Sequence, residues 1–378
     1  MHINKGENTK MLKYFEVSNF KGFKDTISFN LANNRNYSFN NQLIKNDLCN
    51  KLLIYGKNGS GKSNIGDAIF DITVHLTDKA KYKLIPYYLN ADNKTEKVAK
   101  FKYVFLFDNE EITYEYEKFN QFKLKKEELY TKNKRLIYFD YFNRENNEIN
   151  IPEAKKLNIN LISNDLSILK YIYKNTILSE TSIIRKMMDF VENMLSFKSL
   201  KGNEYQGYLE NSPLLADMIY NHGALKEFEK FLKLNSVDYE LSFHNNQFTG
   251  QREIMVKKDK GFIPLLSIAS TGTTSMMLYF CWSLEFPKIS FLFLDEFDAF
   301  YHYETSEFIL KQVLDNPNFQ AIVTTHNTSL LSNDLVRPDC AYMIRNNATI
   351  KKICDCTEKE IREAHNLEHL LKSGAFRG

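Results

Sequence analysis

The chain has 378 residues, 43% of them hydrophobic, and 50 Lys+Arg against 47 Asp+Glu leave a formal net charge of +3. That length accommodates two or three domain-sized units with sizeable cores, and the hydrophobic content excludes a wholly disordered chain. The near-balanced charge argues neither for nor against nucleic acid as a partner.

In chain order, residues 14–17 and 26–29 read as strands around the turn Asn19-Phe20-Lys21-Gly22-Phe23. Residues 51–55 form a short apolar strand that runs into a glycine-rich loop and then a helix over 63–75. Segments 100–107, 111–118 and 123–130 have strand composition, separated by Asp108-Asn109 and Asn120-Gln121, which predicts an antiparallel meander. From about 151 to 241 the pattern turns helical, as at 166–173 and 181–197, with no sustained heptads. Residues 253–266 read as a hairpin around Asp259-Lys260-Gly261. A helix (274–282), a buried strand (289–294), a helix (303–314) and a buried strand (320–324) follow, an α/β alternation.

The five cysteines, Cys49, Cys281, Cys340, Cys354 and Cys356, are odd in number and irregularly spaced. Cys354-Asp355-Cys356 has no second ligand pair nearby, so free thiols of a reducing cytosol fit better than a zinc site. Met1 to Lys10 lacks an apolar h-region and no apolar run reaches membrane-spanning length, so the sequence predicts a cytoplasmic protein with no membrane partner. Asn, Lys, Ile, Phe and Tyr are abundant, as an AT-rich genome produces, which lowers the weight of clustered lysines.

Gly56-Lys57-Asn58-Gly59-Ser60-Gly61-Lys62-Ser63 matches the Walker A pattern in full, between a strand and a helix. Its glycines let backbone N–H groups turn toward phosphate oxygens, and the helix N-terminus adds its positive end. Lys62 is the candidate for the β- and γ-phosphates and Ser63 for Mg²⁺, with Asn64 completing the phosphate set. The competing reading, a glycine-rich turn matching by chance, is opposed by the flanking strand and helix.

Phe291-Leu292-Phe293-Leu294-Asp295-Glu296 is an apolar strand ending in two acids, which delivers carboxylates to the edge where α/β ligands bind. Asp295 is the candidate Mg²⁺ acid of a Walker B motif, and Glu296 the general base or water-positioning group. Many buried strands end in an acid; the complete Walker A motif makes this one informative. The next buried strand, Ala321-Ile322-Val323-Thr324-Thr325, ends in His326, which is placed where a γ-phosphate sensor belongs.

Ser270-Thr271-Gly272-Thr273 stands just before the helix that leads into the acid-bearing strand. A Ser hydroxyl, free N–H groups and a helix dipole suit an anion, although Ser-x-Gly is also a common cap. The motif resembles the degenerate signature of ABC-type ATPases, and the order of motifs is similar to ABC heads over most of the chain. The resemblance implies an α/β fold: a P-loop NTPase ABC-type head with an antiparallel β lobe and a helical insertion. Residues 1–150 would be the first lobe with the P-loop, 151–250 the helical insertion, and 251–378 the second lobe with signature, Walker B and switch histidine. It further implies ATP and Mg²⁺ as ligands and ATP hydrolysis between two heads of a homodimer or higher homo-oligomer. Ser270 and Gly272 of one head would cover the γ-phosphate held by the other, with Asp298 as the D-loop acid at the interface.

The opening turn resembles SMC, RecF and RecN heads, which implies contact of Lys21 with ATP phosphates. The departures are a Q-loop glutamine that cannot be placed, Gln121 and its neighbours being unconvincing, and a signature without its leading Leu-Ser and second glycine. No transmembrane partner domain is evident, which points to the soluble SMC/RecF/OLD branch.

Near the C-terminus, Glu360-Ile361-Arg362-Glu363-Ala364-His365-Asn366-Leu367-Glu368 and Ser373-Gly374-Ala375-Phe376 resemble the closing segment of the RloA/AbiLi/AriA (PARIS) anti-phage group. Asp295-Glu296-Phe297-Asp298 with His302, and Thr324-Thr325-His326-Asn327, resemble the same group. That resemblance implies a sensor or scaffold ATPase of an abortive-infection system, with a separate RloB-like TOPRIM nuclease as effector. The alternatives are a RecF/SMC-like repair or chromosome-maintenance ATPase that binds DNA directly, and a scaffold that uses ATP only to assemble. A GTPase is disfavoured because no Asn-Lys-x-Asp motif follows the P-loop. A self-contained OLD nuclease is disfavoured because about fifty residues follow His326, too few for a TOPRIM domain. Lys123, Lys125, Lys126, Lys132, Lys134 and Arg135, and Lys257, Lys258 and Lys260, suit a phosphate backbone. Glu127 and Glu128 interrupt the first group, and solvated surface is the preferred reading.

Overall fold

A computed structural model describes residues 10–33, 35–79, 85–132, 134–198, 204–207, 214–345 and 349–376. The site is organised by a seven-stranded sheet in the order Glu204–Gly207, Met194–Lys198, Phe291–Asp295, Gln320–Thr325, Lys51–Gly56, Ala341–Ile344, Ile350–Lys352. The five inner strands run parallel and the two edge strands antiparallel to their neighbours. Strands covered on both faces carry unbroken apolar runs rather than an alternation, and Phe291, Leu292, Phe293 and Leu294 are all fully buried. Each such side chain stabilises the fold by roughly 1.5–3 kcal/mol. The register pairs Leu294 with Val323, and Thr325 with Tyr55. The C-terminal ends of the Walker B, histidine and P-loop strands are thereby aligned along one edge.

The helix Lys62–Ile69 lies over this sheet. A Cβ on Gly66 would stand 2.4 Å from the Phe293 ring, so only glycine lets the helix approach the Walker B strand this closely. The sequence predicts one helix over 63–75. The chain instead breaks at Phe70, where ψ is −1°, and restarts as Asp71–Leu76. The Thr73 hydroxyl donates to the Phe70 carbonyl at 2.7 Å, a side-chain bond that competes with the helix ladder.

A second seven-stranded sheet is antiparallel, in the order Glu148–Ile149, Lys134–Asp140, Leu124–Thr131, Glu110–Lys118, Ala99–Phe107, Lys10–Ser18, Ile27–Asn30. Its alternating burial follows the two-residue period of a pleated strand. Phe101, Tyr103 and Phe105 on one strand and Tyr114 and Tyr116 on the next form a buried aromatic layer. Between this layer and the helix Asp71–Leu76 runs a seam of buried polar groups. Asp71 accepts from Lys118 Nζ at 2.9 Å, Tyr116 at 3.0 Å and Tyr88 at 2.9 Å. Glu127 accepts from Tyr114, Tyr141, Ser167 and the Ile168 N–H. The meander expected from sequence is present, extended by Lys134–Asp140, which the lysine-rich reading of that stretch concealed.

The segment 151–250 departs from a purely helical insertion. Ile168–Asn175 and Ile183–Glu192 are helices, but the helix expected over 181–197 stops at Glu192, and Met194–Lys198 becomes a parallel partner of the Walker B strand. A short apolar run is compatible with either period, and here the ladder with Phe291–Asp295 decides. Further on, Leu241–Asn245, Arg252–Lys258 and Gly261–Pro264 form a three-stranded antiparallel sheet. It leads into the helix Thr271–Ser283, whose residues 275–282 are all buried. A helix apolar on every side belongs to the core. Among the described residues, no helix is long and apolar enough to cross a membrane.

Candidate nucleotide site

The phosphate loop leaves the strand Lys51–Gly56 and enters the helix at Lys62. Lys57, Asn58 and Gly59 are exposed, and Ser60 is buried. Gly61, at the helix N-cap, has a φ of 104°, a left-handed conformation that a side chain would strain. The first turn of a helix leaves its N–H groups without intrahelical partners, and Ser63 and Asn64 are half-buried there. Asn64 also packs under the opening turn, where a Cβ on Gly22 would stand 2.9 Å from its Nδ2.

Lys62 is 3% exposed. Its Nζ donates to the Gly56 carbonyl at 2.7 Å and the Lys57 carbonyl at 3.2 Å, and stands 3.1 Å from Glu296 Oε1. The two sequence motifs therefore meet in space. The Walker B acids are braced by the neighbouring strand: Thr324 Oγ1 donates to Asp295 Oδ1 at 2.9 Å and accepts from the Glu296 N–H at 2.9 Å. Burial pushes the Asp295 carboxyl up, opposed by hydrogen bonds from Ser63 and Thr324 and by the charge of Lys198. Glu296 has a φ of 48°. A non-glycine residue held there costs about 1–3 kcal/mol, and such strain gathers at functional sites.

His326 follows directly on Thr325 and is exposed, on the open side of the same edge. Asp298 is the residue expected at an interface between two heads. It is 7% exposed and its Oδ2 accepts from Thr325 Oγ1 at 2.7 Å, because the chain turns inward after Glu296. Burial also pushes its carboxyl up. Ser270 is the N-cap of Thr271–Ser283, its Oγ accepting from the Thr273 N–H at 3.1 Å. Ser270 and Thr271 are exposed, and a Cβ on Gly272 would stand 2.9 Å from the Phe300 carbonyl. Lys21 lies in the opening turn with a φ of 47° and pairs with Asp67 on the P-loop helix. Gln121 is buried and accepts from the Ile85 N–H at 2.9 Å.

The sequence assigns no individual role to Thr324, Thr325, Asp67 or Lys198. The two threonines were legible as a polar pair ending an apolar strand. Asp67 stands four residues after Ser63, on the same helix face. Lys198 had no signal, since its strand was read as helix.

The residues fit Mg²⁺·ATP. Lys62 rests on its own loop's carbonyls, and Ser60 Oγ is buried with no hydrogen-bond partner among the described residues. Ser63 and Asp295 offer the hydroxyl–carboxylate pair that suits a hard cation.

Residues 52–332 match a protein-family model described as "AAA domain, putative AbiEii toxin, Type IV TA system". The chain belongs to this AAA-domain family. The family match and the geometry agree on an α/β P-loop fold, with a parallel sheet that carries the phosphate loop and a second, antiparallel sheet. Among solved structures, the SMC head domain from Thermotoga maritima is similar at 18% identity, covering 90% of this chain and 98% of that one, with a TM-score of 0.43. No curated protein matches the chain significantly.

Proposed function

We propose that this AAA-domain protein binds and hydrolyses Mg²⁺·ATP between two copies of its head, as the switching ATPase of a bacterial anti-phage system with a separate effector. The observation that carries the catalytic part is the convergence of Lys62, Ser63, Asp295 and a strained Glu296 on one sheet edge. Lys62 and the loop N–H groups hold phosphate oxygens, and Glu296 orients and deprotonates the attacking water. Ser63 and Asp295 would hold Mg²⁺, which when bound would supply charge neutralisation at the phosphates.

Assembly in pairs is supported by the surface around the signature. Ser270 and Thr271 are exposed, as are the apolar side chains of Phe262, Ile263, Leu266 and Ile268 just before them in sequence and of Phe300, whose carbonyl meets Gly272. Mixing Lys62→Ala chains with Gly272→Asp chains leaves one intact composite site per mixed dimer. Each variant alone is expected to be inactive, and the mixture to recover about a quarter of wild-type turnover under random pairing. No recovery, with mixed dimers present, would refute a shared site.

The defence role is supported by the closing segment, which is fastened to the loop after His326. Asn333 Nδ2 donates to the carbonyls of Arg362 (3.0 Å), Glu363 (3.2 Å) and His365 (2.9 Å), and Glu368 accepts from Thr328 and Ser329. A change at the histidine thus reaches the C-terminal surface, where an effector would read it. In cells carrying the full operon, wild type is expected to reduce phage plating and Glu296→Gln to lose that protection. Equal protection would show that hydrolysis is dispensable. The direct DNA clamp is less well supported: Lys125 and Lys126 pair with Glu117, Lys126 also with Glu128, Arg135 with Glu148, and Lys257 with Glu240.

A further inference from the structure

On the side away from the histidine strand, the Walker B strand is flanked by Met194–Lys198, and the parallel register sets Lys198 beside Asp295. Lys198 ends its strand at the ligand edge, with its side chain 13% exposed. Its ammonium pairs with Oδ1 of Asp67, while Lys21 pairs with Oδ2 of the same carboxylate. Asp67 lies one helical turn beyond Ser63 and shares its face of the P-loop helix. Two lysines thus share one carboxylate within a turn of the phosphate loop.

The sharing is chemically informative. A buried carboxylate with a single cation loses heavily when that cation leaves, because an unpaired charge remains out of water. Asp67 is protected from that loss: if Lys198 departs, Lys21 remains. Burial by itself would push the Asp67 carboxyl up, and Lys198 and Lys21 together outweigh it and hold the group below its ordinary value. Lys62 shows the same arrangement on the other side of the Walker B acids, an ammonium resting on protein oxygens at Glu296, Gly56 and Lys57. Lysine suits such a transfer, being a point charge on a flexible stem with three donors.

We propose that Lys198 is a second phosphate-binding lysine, which leaves Asp67 for the terminal phosphate of the bound nucleotide and so makes the site prefer a triphosphate to a diphosphate. The proposal rests on the nucleotide-site reading above and adds a specificity determinant to it.

The test is calorimetric binding of a non-hydrolysable ATP analogue and of ADP, each with Mg²⁺, to wild type, Lys198→Gln and Lys198→Arg. Lys198→Gln is expected to weaken analogue binding about tenfold, the scale of a charge-assisted hydrogen bond, and to leave ADP binding within about twofold. Lys198→Arg is expected to retain most of the preference. Equal weakening of both nucleotides, or of neither, would overturn the proposal. If Lys198→Gln does not fold by thermal melting, Asp67→Asn asks the same question from the other side. It releases the lysine, and triphosphate preference is expected to hold or rise; its loss would count against the proposal. Failure of wild type to bind either nucleotide would sink the nucleotide-site reading instead.

Discussion

The P-loop helix and its continuation carry two clusters of buried charge, four residues apart at Asp67 and Asp71, with opposite character. In the seam beneath the antiparallel sheet, Asp71 is held by Lys118, Tyr116 and Tyr88, and Glu127 by three hydroxyls and a backbone N–H. Lys118 and Asp71 are 0% and 1% exposed at their side chains. Along the parallel sheet edge, by contrast, Glu296 is strained, and Lys62 and Lys198 rest on oxygens they can leave. The same residue types serve two purposes. Where the donors and acceptors close on one another they fix geometry, and along the edge they stand where the proposed nucleotide would meet them.

This contrast makes opposite demands on mutation. The largest effect on stability is expected in the closed cluster. Lys118→Met strands the Asp71 charge and is expected to cost about 3–5 kcal/mol, read as a shift in the urea midpoint. Nucleotide affinity of the remaining folded protein should hold. A loss of affinity without loss of stability would erase the distinction between the clusters.

A smaller effect is expected at Lys51, a buried cation that belongs to neither cluster. It begins the P-loop strand, donates to the Phe319 carbonyl and stands 4.6 Å from the centre of the Phe319 ring. Burial, aided by the charge of Lys45, lowers its pKa from 10.5 to about 7. Between those values the unfolded chain binds more protons than the folded one, so this group's contribution to stability rises with pH through that window and is least below it. Lys51→Met is expected to be more stable than wild type at pH 6, by about 1–2 kcal/mol in unfolding free energy. The gap should narrow by pH 9, and a gap that widens with pH would contradict the assignment.

Much of the site was legible because its motifs are local. Gly56 to Ser63 is one continuous stretch of chain, and Asp295-Glu296 and Thr325-His326 each end an apolar strand, so pattern alone places them. The remaining contributions depend on which strands become neighbours. Met194–Lys198 reads as the tail of an amphipathic helix until the ladder with Phe291–Asp295 is seen, and only that ladder brings Lys198 to the edge. The inward turn of Asp298 toward Thr325 has the same origin. The buried seam was hidden because Lys118, Glu127 and Asp71 are ordinary surface residues by type, and burial together converts them into a bracing unit.

The central claim is that Glu296 acts on water while the phosphate loop does the binding, and Glu296→Gln tests it most directly. In a paired measurement of Mg²⁺·ATP affinity and turnover, the account predicts affinity close to wild type and turnover lower by about 10²–10⁴-fold. Wild-type turnover in Glu296→Gln, with binding intact, would contradict it.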